Sequence, residues 1–135
     1  MERNPKPYLR DSFAIDNETV EDVKGQIGNA ELVDHSRRLV KKLWNVAEGV
    51  WCFVGNGLSN QIFVEGPEGL IVIDTGECVE EMAEALVAIR QETQSPIAAV
   101  IYTHFHYVAG TKAVFTSEER DDIPIWGHER IAMNR

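Results

Sequence analysis

The sequence predicts an α/β protein built on a mixed β-sheet with flanking helices, and three observations carry that expectation. Short apolar segments separated by turn-forming residues fill the stretch from Val46 to Glu65. A continuous apolar run, Leu70-Ile71-Val72-Ile73, follows and reads as a strand buried on both faces. From Val79 onward helical and strand patterns alternate. A β-meander running into βαβ units implies a mixed sheet with helices on its faces.

Residues 1–28 are polar, contain Pro5 and Pro7, and show no sustained period. They read as an extended arm with a short helical turn near Glu18 to Lys24. From Ala30 to Leu43 the apolar residues Leu32, Val33, Leu39, Val40 and Leu43 recur at helical spacing, with Arg37, Arg38, Lys41 and Lys42 gathered toward the negative end of the helix dipole. A strand begun at Val46 breaks at Glu48-Gly49 and resumes at Val50 to Val54. Gly55-Asn56-Gly57 forms a turn. Ser59 to Glu65 alternates Asn60, Ile62 and Val64 against Gln61 and Phe63, and Gly66-Pro67-Glu68-Gly69 closes a hairpin onto Leu70. Val79 to Gln91 places Met82, Leu86 and Ile89 on one helical stripe. Pro96 delimits the strand Ile97 to Tyr102. A short helix over Ala109–Phe115, a strand over Ile123–Trp126 and a helix opening at His128 complete the series.

Composition bounds the function. The chain has 135 residues and a net charge of −9, with 22 acidic against 13 basic residues. That balance argues against nucleic acid, which needs a basic patch to displace counterions. No apolar run reaches the ~18 residues of a membrane span. The first residues lack the apolar stretch of a signal peptide. Cys52 and Cys78 stand singly, with no CxxC or CxxH spacing, and read as two reduced thiols of a cytoplasmic protein. No phosphate-binding glycine loop and no GxSxG elbow occurs.

The residues with chemical potential gather at strand ends. His104 and His106 follow a buried strand, two apart, and so project to the same side, where they can supply two bonds of a metal site. The plainer alternative has one histidine ending the strand and the other exposed. Asp74 ends the other buried strand; it can orient a metal-bound imidazole, or it or Thr75 can N-cap the next helix. Tyr107 can hydrogen-bond a substrate or pack, and His128, at a helix start, can add a ligand. Ser59 and Asn60 read as turn formers, and His35 as a solvent-exposed residue on a helix.

Taken together, Gly57-Leu58-Ser59-Asn60, then Gly69 to Gly76 ending in Asp74-Thr75-Gly76, then Ala98-Ala99-Val100-Ile101-Tyr102-Thr103-His104-Phe105-His106 resemble the metallo-β-lactamase superfamily, and within it the alkyl sulfatase branch. The resemblance runs from about Asp34 to Trp126. It implies the N-terminal half of an αββα sandwich, with residues 1–28 an N-terminal arm and residues 29–135 a partial domain of that kind. It implies a zinc site of one or two ions, with His104 and His106 matching the first two ligands and Asp74 the acid behind them. Imidazole suits iron and other divalent metals as well. It further implies hydrolysis of a small-molecule sulfate or related ester by metal-bound water. The family's motif continues His-x-His-x-Asp-His, whereas Val108 and Ala109 stand at its last two positions here.

Three readings follow. One is a metal-dependent hydrolase of alkyl sulfatase type, completed by a complementary polypeptide, by a second copy of the chain or by further sequence. The second is a non-catalytic binding or scaffold subunit with a degenerate metal site. The third is a rearranged mononuclear site with other chemistry, such as iron-dependent oxidation.

Overall fold

The computed structural model describes residues 18–134, which fall into two compact units divided between Leu39 and Val40. Most of the expected arm, residues 1–17, lies outside the described residues. The remainder of it is a hairpin and not a helical turn. Strands β1 (Thr19–Glu21) and β2 (Ile27–Asn29) pair antiparallel around a turn in which Asp22 Oδ1 accepts the backbone N–H groups of Lys24 and Gln26, each at 2.8 Å. The Gln26 N–H, foremost, holds the Asp22 carboxyl below its ordinary value. Gly25, at φ +77°, closes the turn.

Helix α1 covers Ala30–Ser36, capped by Asn29, whose side chain accepts the N–H of Glu31 at 2.9 Å. The expected helix to Leu43 stops seven residues early. None of its residues is buried, so no packed face extends it against the competing strand pairing of Lys42 and Leu43.

The second unit carries the sheet. Strands β3 (Lys42–Ala47), β4 (Val50–Val54), β5 (Gln61–Gly66) and β6 (Gly69–Ile73) form an antiparallel meander. Helix α2 (Val79–Ile89) then leads to β7 (Ile97–Ile101), parallel to β6, and α3 (Thr111–Glu118) leads to the two-residue β8 (Ile125–Trp126), parallel to β7. The spatial order is β3-β4-β5-β6-β7-β8. A 3₁₀ turn, Glu129–Met133, follows.

Both helices lie on the same face. Met82, Ala85, Leu86 and Ile89 of α2, at helical spacing, join Val114 of α3 against Phe53, Phe63, Val72 and Val100 in one buried cluster. Arg90 and Glu118 clamp the far end: Arg90 pairs with Glu118 and donates to the Ser95 carbonyl, while Glu118 Oε2 accepts the N–H of Ile97 at 3.2 Å. Because that pair is mostly buried and its spare groups are bonded, it resists screening better than the exposed Arg37–Asp34 contact.

The opposite face corrects the expectation of a strand buried on both sides. Trp44, Cys52, Ile62, Ile73, Ile101 and Trp126 stand in one register row across all six strands, with Val50, Val64, Ile71 and Ala99 in the next. These side chains are half-buried or exposed, Trp126 to 65%. Among the described residues the apolar run of β6 therefore has a buried side, Leu70 and Val72, and a half-buried one, Ile71 and Ile73. Among the described residues no helix is long and apolar enough to cross a membrane.

Adjacent residues of β5 should report the asymmetry. Phe63→Ala should lower stability in urea unfolding by about 3–5 kcal/mol, since Phe63 is fully buried. Ile62→Ala, one residue away on the open face, should cost less than about 1.5 kcal/mol.

Candidate metal centre

The ends of β6 and β7 converge because the two strands run parallel, and two sets of hydrogen bonds lock their exits together. Asp74 leaves β6 with φ +58°, a left-handed conformation uncommon outside glycine. Its backbone N–H still donates to the Ile101 carbonyl at 2.9 Å, while the bend turns its carboxylate toward Thr103. Oδ1 accepts the Thr103 N–H at 2.9 Å and Oδ2 accepts the Thr103 hydroxyl at 2.6 Å. Thr103 Oγ1 in turn lies 2.8 Å from His104 Nδ1. Asp74 is buried and reaches the histidine only through Thr103.

The second lock involves Thr75. Its N–H donates to the Tyr107 carbonyl at 2.9 Å, and its hydroxyl meets both that carbonyl and Thr111 Oγ1. Thr111 also bonds Tyr102 Oη and donates to the Val108 carbonyl at 2.8 Å. Gly76 and Val108 add an isolated parallel bridge. Gly110 lets the backbones meet: a Cβ there would stand 1.9 Å from the Thr75 carbonyl oxygen. The alternative of Asp74 or Thr75 as helix cap is thereby corrected. Helix α2 starts only at Val79, with Cys78 at its N-cap position, because both candidate side chains are turned toward the histidine loop.

The loop so fixed presents aromatic rings in a cluster. The His104 and His106 ring centres lie 5.2 Å apart, and Tyr107 stands edge-on to His104 at 4.7 Å. Phe105 lies 3.9 Å from His106. His104 is half-buried and His106 exposed. His128 is not among these rings: it heads the 3₁₀ turn, where its Nδ1 accepts the Arg130 N–H at 3.2 Å. Among the described residues, no group of three or more His, Cys, Asp or Glu side chains is gathered to hold a metal. Val108 is buried at 6% exposure, so the position where the family motif has Asp is used for packing.

Sequence reasoning passed over the hydroxyls. Thr103, Thr75, Thr111 and Tyr102 hold the loop, and a hydroxyl directly before a His-x-His pair was the available signal. It also missed a polar cluster by the Gly55–Asn60 turn. Glu81 Oε2 accepts the Glu77 N–H at 2.9 Å, and a Cβ at Gly57 or Gly76 would press on the same carboxylate at 2.5 or 2.7 Å. Asn56 donates to the Glu81 carbonyl at 2.7 Å. Ser59, expected as a turn former, is buried and accepts from Gln61 Nε2 at 2.9 Å. The Cys52 and Cys78 thiols are free, and burial pushes that of Cys52 up.

Comparison with known proteins agrees with this frame. Residues 54–107 match the metallo-beta-lactamase superfamily. A linear primary-alkylsulfatase of a Pseudomonas strain is 41% identical over 76 residues, which are 53% of this chain and 14% of that protein. An alkyl/aryl-sulfatase of Saccharomyces cerevisiae is 35% identical over 75 residues, 53% of this chain and 12% of that protein. The chain thus spans only 14% and 12% of the length of these relatives. Among solved structures, the stereoselective inverting sec-alkylsulfatase Pisa1 from Pseudomonas sp. superposes with a TM-score of 0.61 at 22% identity, over 73% of this chain and 19% of that one. A metallo-beta-lactamase from Hirschia baltica gives 0.55 at 21% identity, over 70% and 47%. At those identities the superpositions show the fold alone, a mixed-sheet portion of the fold those proteins share.

The Gly110 contact generates a sharp expectation. Gly110→Ala should lower the thermal midpoint by several degrees, corresponding to about 1–3 kcal/mol of forced backbone movement. Gly66→Ala, where the nearest atom lies at an ordinary 3.6 Å, should change it by less than about one-third of that.

Proposed function

We propose that this chain, which matches the metallo-beta-lactamase superfamily over residues 54–107 and resembles alkylsulfatases, supplies one half of the site of a metal-dependent hydrolase acting on a sulfate or related ester of a small molecule. The observation that carries the proposal is the paired imidazoles at the joined exits of β6 and β7, that of His104 held from behind by Asp74 through Thr103.

The donor set fits a divalent metal in part. His104 and His106 supply two borderline nitrogen donors suited to zinc, with iron as the nearest alternative. Two donors fall short of the three or four a zinc site takes, so the remainder belongs to a complementary polypeptide, a second copy or another segment of a longer protein. Zinc bound there supplies a Lewis acid that brings the pKa of a coordinated water to about 7. The chain's own residues keep the imidazoles apart and aimed. Asp74 and Thr103 fix His104, Tyr107 walls its side, and the Thr75–Thr111 bonds keep the loop from sliding along β6. His128, occupied as a turn cap, is a weaker candidate for a ligand.

The uncovered sheet face supports the need for a second half. A row of six apolar or aromatic side chains from Trp44 to Trp126, half-buried or exposed among the described residues, is a surface that a second layer could cover. We place the assembled protein in the cytoplasm, on the strength of its two free thiols.

One observation favours the second reading, a binding subunit with a degenerate site. Val108 is built into the joint by its carbonyl bond to Thr111 and its bridge to Gly76, so the loop holds together without ligands at 108 and 109.

Elemental analysis with mass in solution separates the two. The hydrolase reading expects stoichiometric divalent metal in an assembly larger than one chain, falling to less than about one-tenth in His104→Ala and in His106→Ala. Equal metal in all three proteins would sink the ligand assignment. A metal-free wild type would favour the binding subunit. Thiol labelling adds a check on the face: Cys52 should react in the separated chain and be protected in the assembly.

A further inference from the structure

We propose that Thr103 is a positioning residue that sets the tautomer of His104, placing the ring proton on Nδ1 and leaving the Nε2 lone pair free. The inference follows from counting protons along three groups. The buried Asp74 carboxylate has only acceptor oxygens, and both are aimed at residue 103. Oδ1 is served by the Thr103 N–H. Oδ2, at 2.6 Å, is served by the Thr103 hydroxyl, a length typical of a charge-assisted O–H···O⁻ bond.

A threonine hydroxyl has one proton. Given to Asp74, it leaves Oγ1 with lone pairs alone, and the His104 Nδ1 found 2.8 Å away must be the donor. The imidazole therefore carries its proton on Nδ1. An unconstrained histidine side chain favours Nε2 for its proton, so the chain reverses the default. Asp74 thus governs a nitrogen it does not touch. The bent backbone at Asp74 belongs to this scheme: at φ +58° the carboxylate faces the residue preceding the histidine.

What the tautomer does for a metal rests on the ligand role proposed for His104 above. With Nδ1 committed to Thr103, Nε2 is the nitrogen left to bind, and the bond behind the ring limits its rotation. Phe105, His106 and Tyr107 surround the ring with no competing acceptor drawn to Nδ1 among the described hydrogen bonds.

The test uses long-range proton–nitrogen correlation spectra of the isotope-labelled, metal-free chain at about pH 9, above the ordinary imidazole range. Wild type should show His104 protonated on Nδ1, and Thr103→Ser, which keeps the hydroxyl, should match it. Thr103→Val, of similar shape but without the hydroxyl, should move the proton largely to Nε2, with the spectra of His35 and His128 unchanged. Nε2 protonation in wild type, or an unaltered tautomer in Thr103→Val, would overturn the proposal. Zinc titration of the same proteins reads the other half. A loss of affinity of about tenfold or more in Thr103→Val, recovered in Thr103→Ser, supports the relay acting on a ligand. The expected tautomers with equal zinc affinity in wild type, Thr103→Ser and Thr103→Val uphold the relay and refute its action on a ligand.

Discussion

The interaction on which the site depends is the two-oxygen grip of Asp74 on Thr103. It is charge-assisted, part-buried, and spans two strand exits that the parallel pairing of β6 and β7 has already brought together. A hydrogen bond to a charged group is worth about 1.5–3 kcal/mol, and leaving a buried carboxylate unpaired costs more. The grip therefore works as a constraint as much as an attraction. With Asp74 desolvated, the backbone of residue 103 has few other places to be, and His104 follows it.

A second set of neutral bonds supports that grip from the side. Thr75, Thr111, Tyr102 and the carbonyls of Tyr107 and Val108 form one connected network, closed by the near contact that only a glycine at 110 permits. Each bond is modest. Their joint effect is to turn the stretch after the histidines into packed structure. Val108 shows the conversion most plainly, since an aspartate there would sit at the same bridge with its charge against buried neighbours.

The sheet divides the molecule into a finished and an unfinished side. Both crossover helices bury the same face, and the register aligns an apolar row on the other from edge to edge. Cys52 belongs to that row and its thiol is already shifted upward by partial burial. The same strand ends that carry the histidines border the open face. The candidate site and the open face therefore meet at the same edge of the sheet.

Much of this was legible in residue order. The strands from Val50 to Ile73, the helix with Met82, Leu86 and Ile89, the strand ending at Tyr102 and the pairing of His104 with His106 all follow from local period and turn chemistry. Periodicity failed beyond Ser36, because the helix before it buries no residue and Leu43 packs on the core from a strand. It also could not say that Ile71 and Ile73 stand on the half-buried side, since an apolar run looks the same whichever face is covered. The sequence by itself determined which elements form and which two imidazoles stand at a strand's end. Only the tertiary structure decided that Asp74 reaches His104 through Thr103, that Val108 is core and that His128 caps a turn. The first two outcomes depend on groups meeting across about 30 residues of chain, a proximity set by strand pairing and not by spacing, and the third on the local turn at His128.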